Sequence, residues 1–132
     1  MIPLPRWMRR ALYATALMNV LASLAFMPSA TSLREMTGFP PDSHPLYMST
    51  AGLFVLLFGL GYLWCAVTGR ADRLFIALAA LGKTSFVALL MRLWSAGLVP
   101  ARLAVLGSAD LVFAVLFFIW LRGARAPRPA VA

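Results

Sequence analysis

Two charged side chains stand where the sequence otherwise holds almost nothing but apolar residues. Lys83 lies within the run Leu74 to Met91, and Asp110 lies within the run Val99 to Leu121. On insertion scales each unpaired charge near the centre of a bilayer costs roughly 2.5–3.5 kcal/mol, so such groups face a bundle interior, a partner or a cavity. A third polar residue, Asn19, interrupts the run Ala11 to Met27. With a helical rise of about 1.5 Å per residue, Asn19 and Lys83 come roughly 13 and 14 Å in from the same side of a bilayer. Asp110 comes about 12 Å in from the opposite side. In a hydrocarbon core about 30 Å thick, all three lie near the midplane. The third and fourth apolar runs are joined by a short connection, which makes them antiparallel neighbours. Lys83 and Asp110 therefore share a level and can pair, with Asn19 or Ser85 adding hydrogen bonds. Three uses of that set stay open. It is a structural ion pair that sets helix register, or a polar pocket that binds a ligand headgroup or passes a proton. Alternatively, Lys83 snorkels or meets a partner subunit.

Other residues offer less. His44 stands beside Asp42 at the outer interface, where it could exchange protons or simply be solvated. Arg92 and Arg102 flank a short outer connection and could hold an anionic headgroup, or anchor the interface. Phe54, Phe58 and Tyr62 fall on one helical face at spacings of four. Together they could line an apolar slot, or serve as ordinary core. Arg34 and Glu35 read as a solvated surface pair. With one histidine and four scattered acids, no metal site is expected. Cys65 is the only cysteine, which rules out a disulfide within the chain and leaves it as a small buried hydrophobe. Gly59-Leu-Gly61 lies inside an apolar helix without a preceding strand, so it is not a nucleotide loop.

The elements that carry these residues belong to a membrane. Of 132 residues, 62% are hydrophobic and 12% charged, and the mean hydropathy is +0.86. A soluble domain of this size needs more charge to cover its surface. The expected fold is all-α: a single membrane domain, 1–132, built as an integral membrane four-helix bundle. Its spans cover about 10–28, 48–68, 73–94 and 100–121, with an outer loop at 28–48 and a disordered basic tail at 122–132. Ser32 and Glu35 have capping-box spacing and may be read as opening a helical turn within that loop. The first run also resembles a secretory signal, although Pro28 fits the cleavage rule poorly and the retained span is the preferred reading.

Charge orients the bundle. The net charge is +8, and the arginines gather at the ends of apolar runs. That placement points to topology and anionic lipid rather than nucleic acid. Arg6, Arg9, Arg10, Arg70, Arg73, Arg122, Arg125 and Arg128 fall on one side of a four-span protein. Arg34, Arg92 and Arg102 fall on the other. The positive-inside rule then puts both termini of this multi-pass protein in the cytoplasm.

This layout resembles small bacterial four-helix membrane proteins of the DoxX-like family, with glycine-punctuated helices and short basic turns. The matching features are Gly52, Gly59-Leu-Gly61-Tyr62, Gly82-Lys83 and Asp110. The resemblance covers Leu12 to Leu121 as a layout. It implies a bacterial inner (plasma) membrane, a membrane-protein partner and a quinone or lipid. The leading expectation is an accessory subunit or a binder of an apolar ligand such as a lipid or quinone. Lys83, Asp110, Asn19, Phe58 and Tyr62 are its candidate ligand contacts, and no other cofactor is expected. The alternatives are a proton-coupled small transporter working as a homodimer, and a membrane enzyme acting on an isoprenoid or sterol-like substrate.

Overall fold

A computed structural model describes residues 1–41 and 43–124. Helices α1 (Arg6–Leu24), α2 (Thr31–Thr37), α3 (Pro45–Thr68), α4 (Arg73–Ser95), α5 (Ala101–Gly107) and α6 (Ala109–Gly123) follow one another, with the short strands β1 (Ile2–Pro3) and β2 (Arg70–Ala71) at one end. Three lengths are long and apolar enough to cross a membrane: Pro45–Thr68, Arg73–Ser95, and Ala101–Gly123, in which α5 and α6 run on almost without interruption. The chain is a multi-pass membrane protein. Its described residues make five helices where four were expected, counting α5 and α6 as one. The additional helix is α2, folded within the connection after α1, where Gly38 closes it at a φ of 83°. The expectation of a disordered tail falls mainly on residues 125–132, outside the described residues. The last helix itself continues to Gly123.

The bundle is two antiparallel pairs. α1 packs along α3, and α4 packs along α5 and α6, while α1 meets α6 between the pairs. Outside the pairs, large apolar side chains point outward on every long helix, among them Leu17, Leu53, Leu81 and Val112. Lipid tails are as apolar as leucine, so helices associate in a bilayer through close packing and interhelical hydrogen bonds. Glycines supply the close approach here. A Cβ built on Gly52 would lie 2.6 Å from the Cβ of Phe26, and one on Gly59 would lie 3.0 Å from that of Asn19. Gly59 therefore seats α3 against α1, and Gly52 seats it against the turn that ends α1. Gly52→Ala is expected to cost about 1–3 kcal/mol, since the obstructing atom is next to the backbone and cannot swing aside. Unfolding of the purified variant in detergent would measure this, and an unchanged midpoint would show that the two helices can separate freely at that point.

Arginines close the helix ends. A helix leaves its last carbonyls unpaired and carries partial negative charge there, which costs most where water is absent. Arg9 Nε donates to Ala66 O of α3 at 3.0 Å. Arg73 donates to Leu121 O at 2.9 Å and to Ala124 O, past the end of α6. Arg102 donates to Glu35 O of α2 at 3.2 Å. The fullest case is Arg34, which donates to Ala25 O, Met27 O and Pro28 O where α1 ends, at 3.3, 2.6 and 3.2 Å. Arg34 is only 5% exposed, which corrects its reading as half of a solvated pair. Glu35 alone is exposed.

The two ends of the bundle differ. At the end where α1 begins and α6 stops, β1 pairs with β2 in the register Ile2 to Ala71 and Pro3 to Arg70. Leu4 N adds a bond to Gly69 O at 2.9 Å. Pro3 and Pro5 disfavour regular structure in this arm. Pro3 is compatible with pairing at the edge of a two-stranded ribbon. Asp72 caps α4 by accepting from Leu74 N and Phe75 N. Above this end lies the core, in which Met8, Leu12, Tyr62, Ile76 and Phe117 are at most 2% exposed. At the opposite end, α2 and Phe39 lie over the bundle, and Phe39 packs edge-on to Phe26 with centroids 5.3 Å apart.

Candidate functional site

The last membrane-length helix is interrupted for one residue where it passes α4. Ser108 interrupts the helical pattern between α5 and α6, and Leu111 N bonds to Ser108 O three residues back. Gly107 permits the approach, since a Cβ there would fall 2.0 Å from a terminal methyl of Leu90. The Ser108 hydroxyl turns back to Val105 O at 2.6 Å. The break places Asp110 in the first turn of α6, facing α4.

Lys83 meets it there. The Lys83 ammonium donates to Asp110 Oδ1 at 2.5 Å and to Asn19 Oδ1 at 3.4 Å. Three helices, α1, α4 and α6, thus converge on one polar cluster. Asn19 is held in turn by donating its amide to Val55 O of α3 at 3.1 Å, so the fourth long helix joins through its backbone. The ammonium also lies 5.4 Å from the Tyr62 ring centroid and 5.6 Å from that of Phe113, in reach of cation–π attraction. Lys83 is 6% exposed and Asp110 17%. The pair is close to dry, and each member offsets the cost of burying the other.

Above the cluster is a cavity of about 610 Å³. Met18 and Ala22 of α1, Phe54 and Phe58 of α3, and Phe86 of α4 form much of its apolar wall, and Lys83, Asp110, Asn19 and Tyr62 lie on it as well. Leu33 and Thr37 of α2 and Phe39 reach it from the outer end. Phe58 stacks on Phe75 at 5.9 Å and Tyr62 tilts against the same ring at 5.7 Å. These aromatics join α3 to α4 near their connecting turn, while the backbones of the two helices otherwise keep apart. Gly82 and Phe54 are exposed on that side, and a Cβ on Gly82 would meet nothing within 4 Å. The cavity therefore has a mouth between α3 and α4.

The structure brings together Lys83, Asp110, Asn19, Phe58 and Tyr62. It does not bring the outer-interface candidates to them. His44 caps α3, accepting from Leu46 N through Nδ1 at 3.2 Å, with its ring 5.6 Å from that of Tyr47. It does not line the cavity. Asp42 lies outside the described residues. Arg92 is exposed in the last turn of α4, and Arg102 is occupied with the end of α2. Ser85 is exposed and takes no part in the cluster. Among the described residues no group of three potential metal ligands occurs.

Three contributors were missed in the sequence. Phe113 and Phe75 are two of nine phenylalanines, and only their placement against Lys83, Phe58 and Tyr62 distinguishes them. Gly107, which lets the break pack against α4, is one glycine among nine; its position three residues before an intramembrane acid was the available signal. Compared with protein families, curated proteins and solved structures, the chain matches none of them.

Proposed function

We propose that the protein binds a lipid-like apolar ligand in the cavity above Lys83 and Asp110. The observation that carries this reading is a space of about 610 Å³ that is apolar over most of its wall and polar at one end. Ligand sites are typically clefts of roughly 300–1,000 Å³ with a few placed polar groups. The mouth between α3 and α4 suits a guest arriving sideways from the bilayer. Its apolar part would lie among Phe54, Phe58 and Phe86, and its polar part against the cluster.

Four crossings, with α1 as the first, agree with the outward apolar face of that helix and with its packing along α3. The end holding β1, β2, the start of α1 and the end of α6 carries Arg6, Arg9, Arg10, Arg70, Arg73 and Arg122. The positive-inside rule makes that end cytoplasmic, in a bacterial inner membrane. The layout shared with DoxX-like proteins is in keeping with a quinone or lipid guest, and with an accessory subunit that presents it to a membrane-protein partner. The core around Leu12, Ile76 and Phe117 closes the cytoplasmic half, which favours holding a ligand over passing one through as a dimeric transporter. The position of His44 away from the cavity weighs against acid–base chemistry on an isoprenoid or sterol-like substrate.

Native mass spectrometry of the protein released from nanodiscs tests this, with decylubiquinone as the added probe. Wild type is expected to retain the probe, or an apolar molecule that the probe displaces. Gly82→Trp places a large ring at the mouth, where there is room for it, and is expected to weaken retention roughly tenfold or more by occupying the space. A wild type that holds neither, or a Gly82→Trp variant that retains the probe equally, overturns the reading.

A further inference from the structure

We infer that the cavity selects a single-chain amphipath with an uncharged, hydroxyl-bearing head. The inference rests on the binding role proposed for the cavity and specifies the chemistry that role requires.

The cluster itself has no net charge. Lys83 gives two of its three N–H groups to Asn19 Oδ1 and Asp110 Oδ1, and its remaining side lies against the rings of Tyr62 and Phe113. Its donors are largely taken. Asp110 uses one carboxylate oxygen. The other makes no hydrogen bond among the described residues, yet it is not among the fully buried unpartnered atoms, so it remains accessible. Tyr62, only 2% exposed and on the cavity wall, likewise has a hydroxyl without a partner among the described residues. What the cavity offers is thus one strong acceptor and one group that can donate or accept.

That combination discriminates between heads. A hydroxyl donates to the free Asp110 oxygen and can exchange a second hydrogen bond with Tyr62. An ether, like the carbonyl of a quinone, can accept from Tyr62 but leaves the carboxylate oxygen unmet, so decylubiquinone is a weaker guest than a hydroxyl compound and serves as the displaceable probe. A carboxylate also only accepts, and it brings a second negative charge against Asp110. An ammonium donates, but it places a second positive charge beside Lys83. Either charged head leaves the site with an uncompensated charge in a dry environment, which is the costly case. A space of about 610 Å³, apolar over most of its wall, suits one chain carrying one such head. A long-chain alcohol and a phenol with an apolar tail share this chemistry.

A matched series separates the possibilities: dodecanol, dodecyl methyl ether, dodecanoate and dodecylammonium, with dodecylphenol as the second hydroxyl source. Each is added to the protein in nanodiscs of zwitterionic phospholipid and competed against decylubiquinone by native mass spectrometry. Dodecanol or dodecylphenol is expected to bind roughly tenfold to a hundredfold more tightly than the ether, as a hydrogen bond to a charged group implies. The better of the two identifies the hydroxyl source. Both charged compounds are expected to bind more weakly still. The double variant Lys83→Met/Asp110→Leu keeps the position apolar and filled, and is expected to bind the alcohol and the ether equally. Equal binding of alcohol and ether by wild type overturns the inference while leaving a general apolar site in place. Tighter binding of either charged compound overturns it as well. Retention of the alcohol preference in the double variant assigns the selection elsewhere and overturns it too. If no compound of the series competes and decylubiquinone itself is not held, the cavity-binding reading fails first.

Discussion

Asp110→Ala is expected to destabilise the protein by about 3–5 kcal/mol, because it leaves the Lys83 ammonium without its carboxylate in a nearly dry site. The remaining partner, Asn19 Oδ1 at 3.4 Å, is neutral and distant, and the ring faces of Tyr62 and Phe113 compensate only part of the charge. Lys83→Met is expected to have a loss of the same order, with the carboxylate now stranded. The double variant Lys83→Met/Asp110→Leu should lie close to wild type, or above it. Two charges desolvated together gain little net stability over apolar residues of similar volume, whereas one alone is costly. Equilibrium unfolding in mixed micelles measures all four proteins and closes the cycle. A double variant as unstable as the singles would contradict the account, since it would mean the residues matter for shape rather than charge. A near-neutral double variant would also separate stability from binding. The pair could then be retained for the ligand, with little contribution to the folding equilibrium.

Arg34→Met is expected to lower stability by about 3 kcal/mol, through the loss of charge-assisted bonds to three carbonyls at the end of α1. Arg34→Lys should recover only part of this. A lysine is a compact point donor, while the guanidinium fork spans carbonyls from Ala25 to Pro28. The consequence should extend to the site. α1 carries Asn19 about one and a half turns before its end at Leu24, and Ala22 of α1 and Ala25 just past its end also line the cavity. Thermal unfolding in detergent gives the stability change. Binding of decylubiquinone below the unfolding range gives the second readout, in which Arg34→Met is expected to be weaker than wild type. An unchanged midpoint would show that water or lipid headgroups cap α1 as well as Arg34 does.

The polar cluster was legible because it violates a rule. Lys83, Asp110 and Asn19 interrupt apolar runs, and helical rise alone brings them to a common depth. The short connection before Pro100 makes their helices neighbours, so the pairing followed from spacing and charge. The aromatic slot was partly legible for the same kind of reason, since Phe54, Phe58 and Tyr62 repeat at four-residue intervals on one face. Arg34 was misjudged because a polar, proline-containing connection looks solvated. Its burial depends on α2 folding back over the end of α1, which no local pattern announces. Phe113 and Phe75 were indistinguishable from other bundle phenylalanines because aromatic residues on an apolar helix carry no mark of their neighbours.

The amino-acid sequence alone determined the solvent in which this protein exists, the helical character of its long segments, and the approximate depth of its charges. Composition and hydropathy act locally, so no knowledge of packing was needed. Tertiary structure alone decided that α3 and α4 meet at one end and part above it, leaving a cavity. It also decided that α5 and α6 break at Ser108 beside that cavity, and that the arginines cap helices other than their own. Those features depend on which helix faces which, and that is settled by close contacts such as Gly52 on Phe26 and Gly107 on Leu90. Residues far apart along the chain make such contacts, and the spacing of residues within one segment does not encode them.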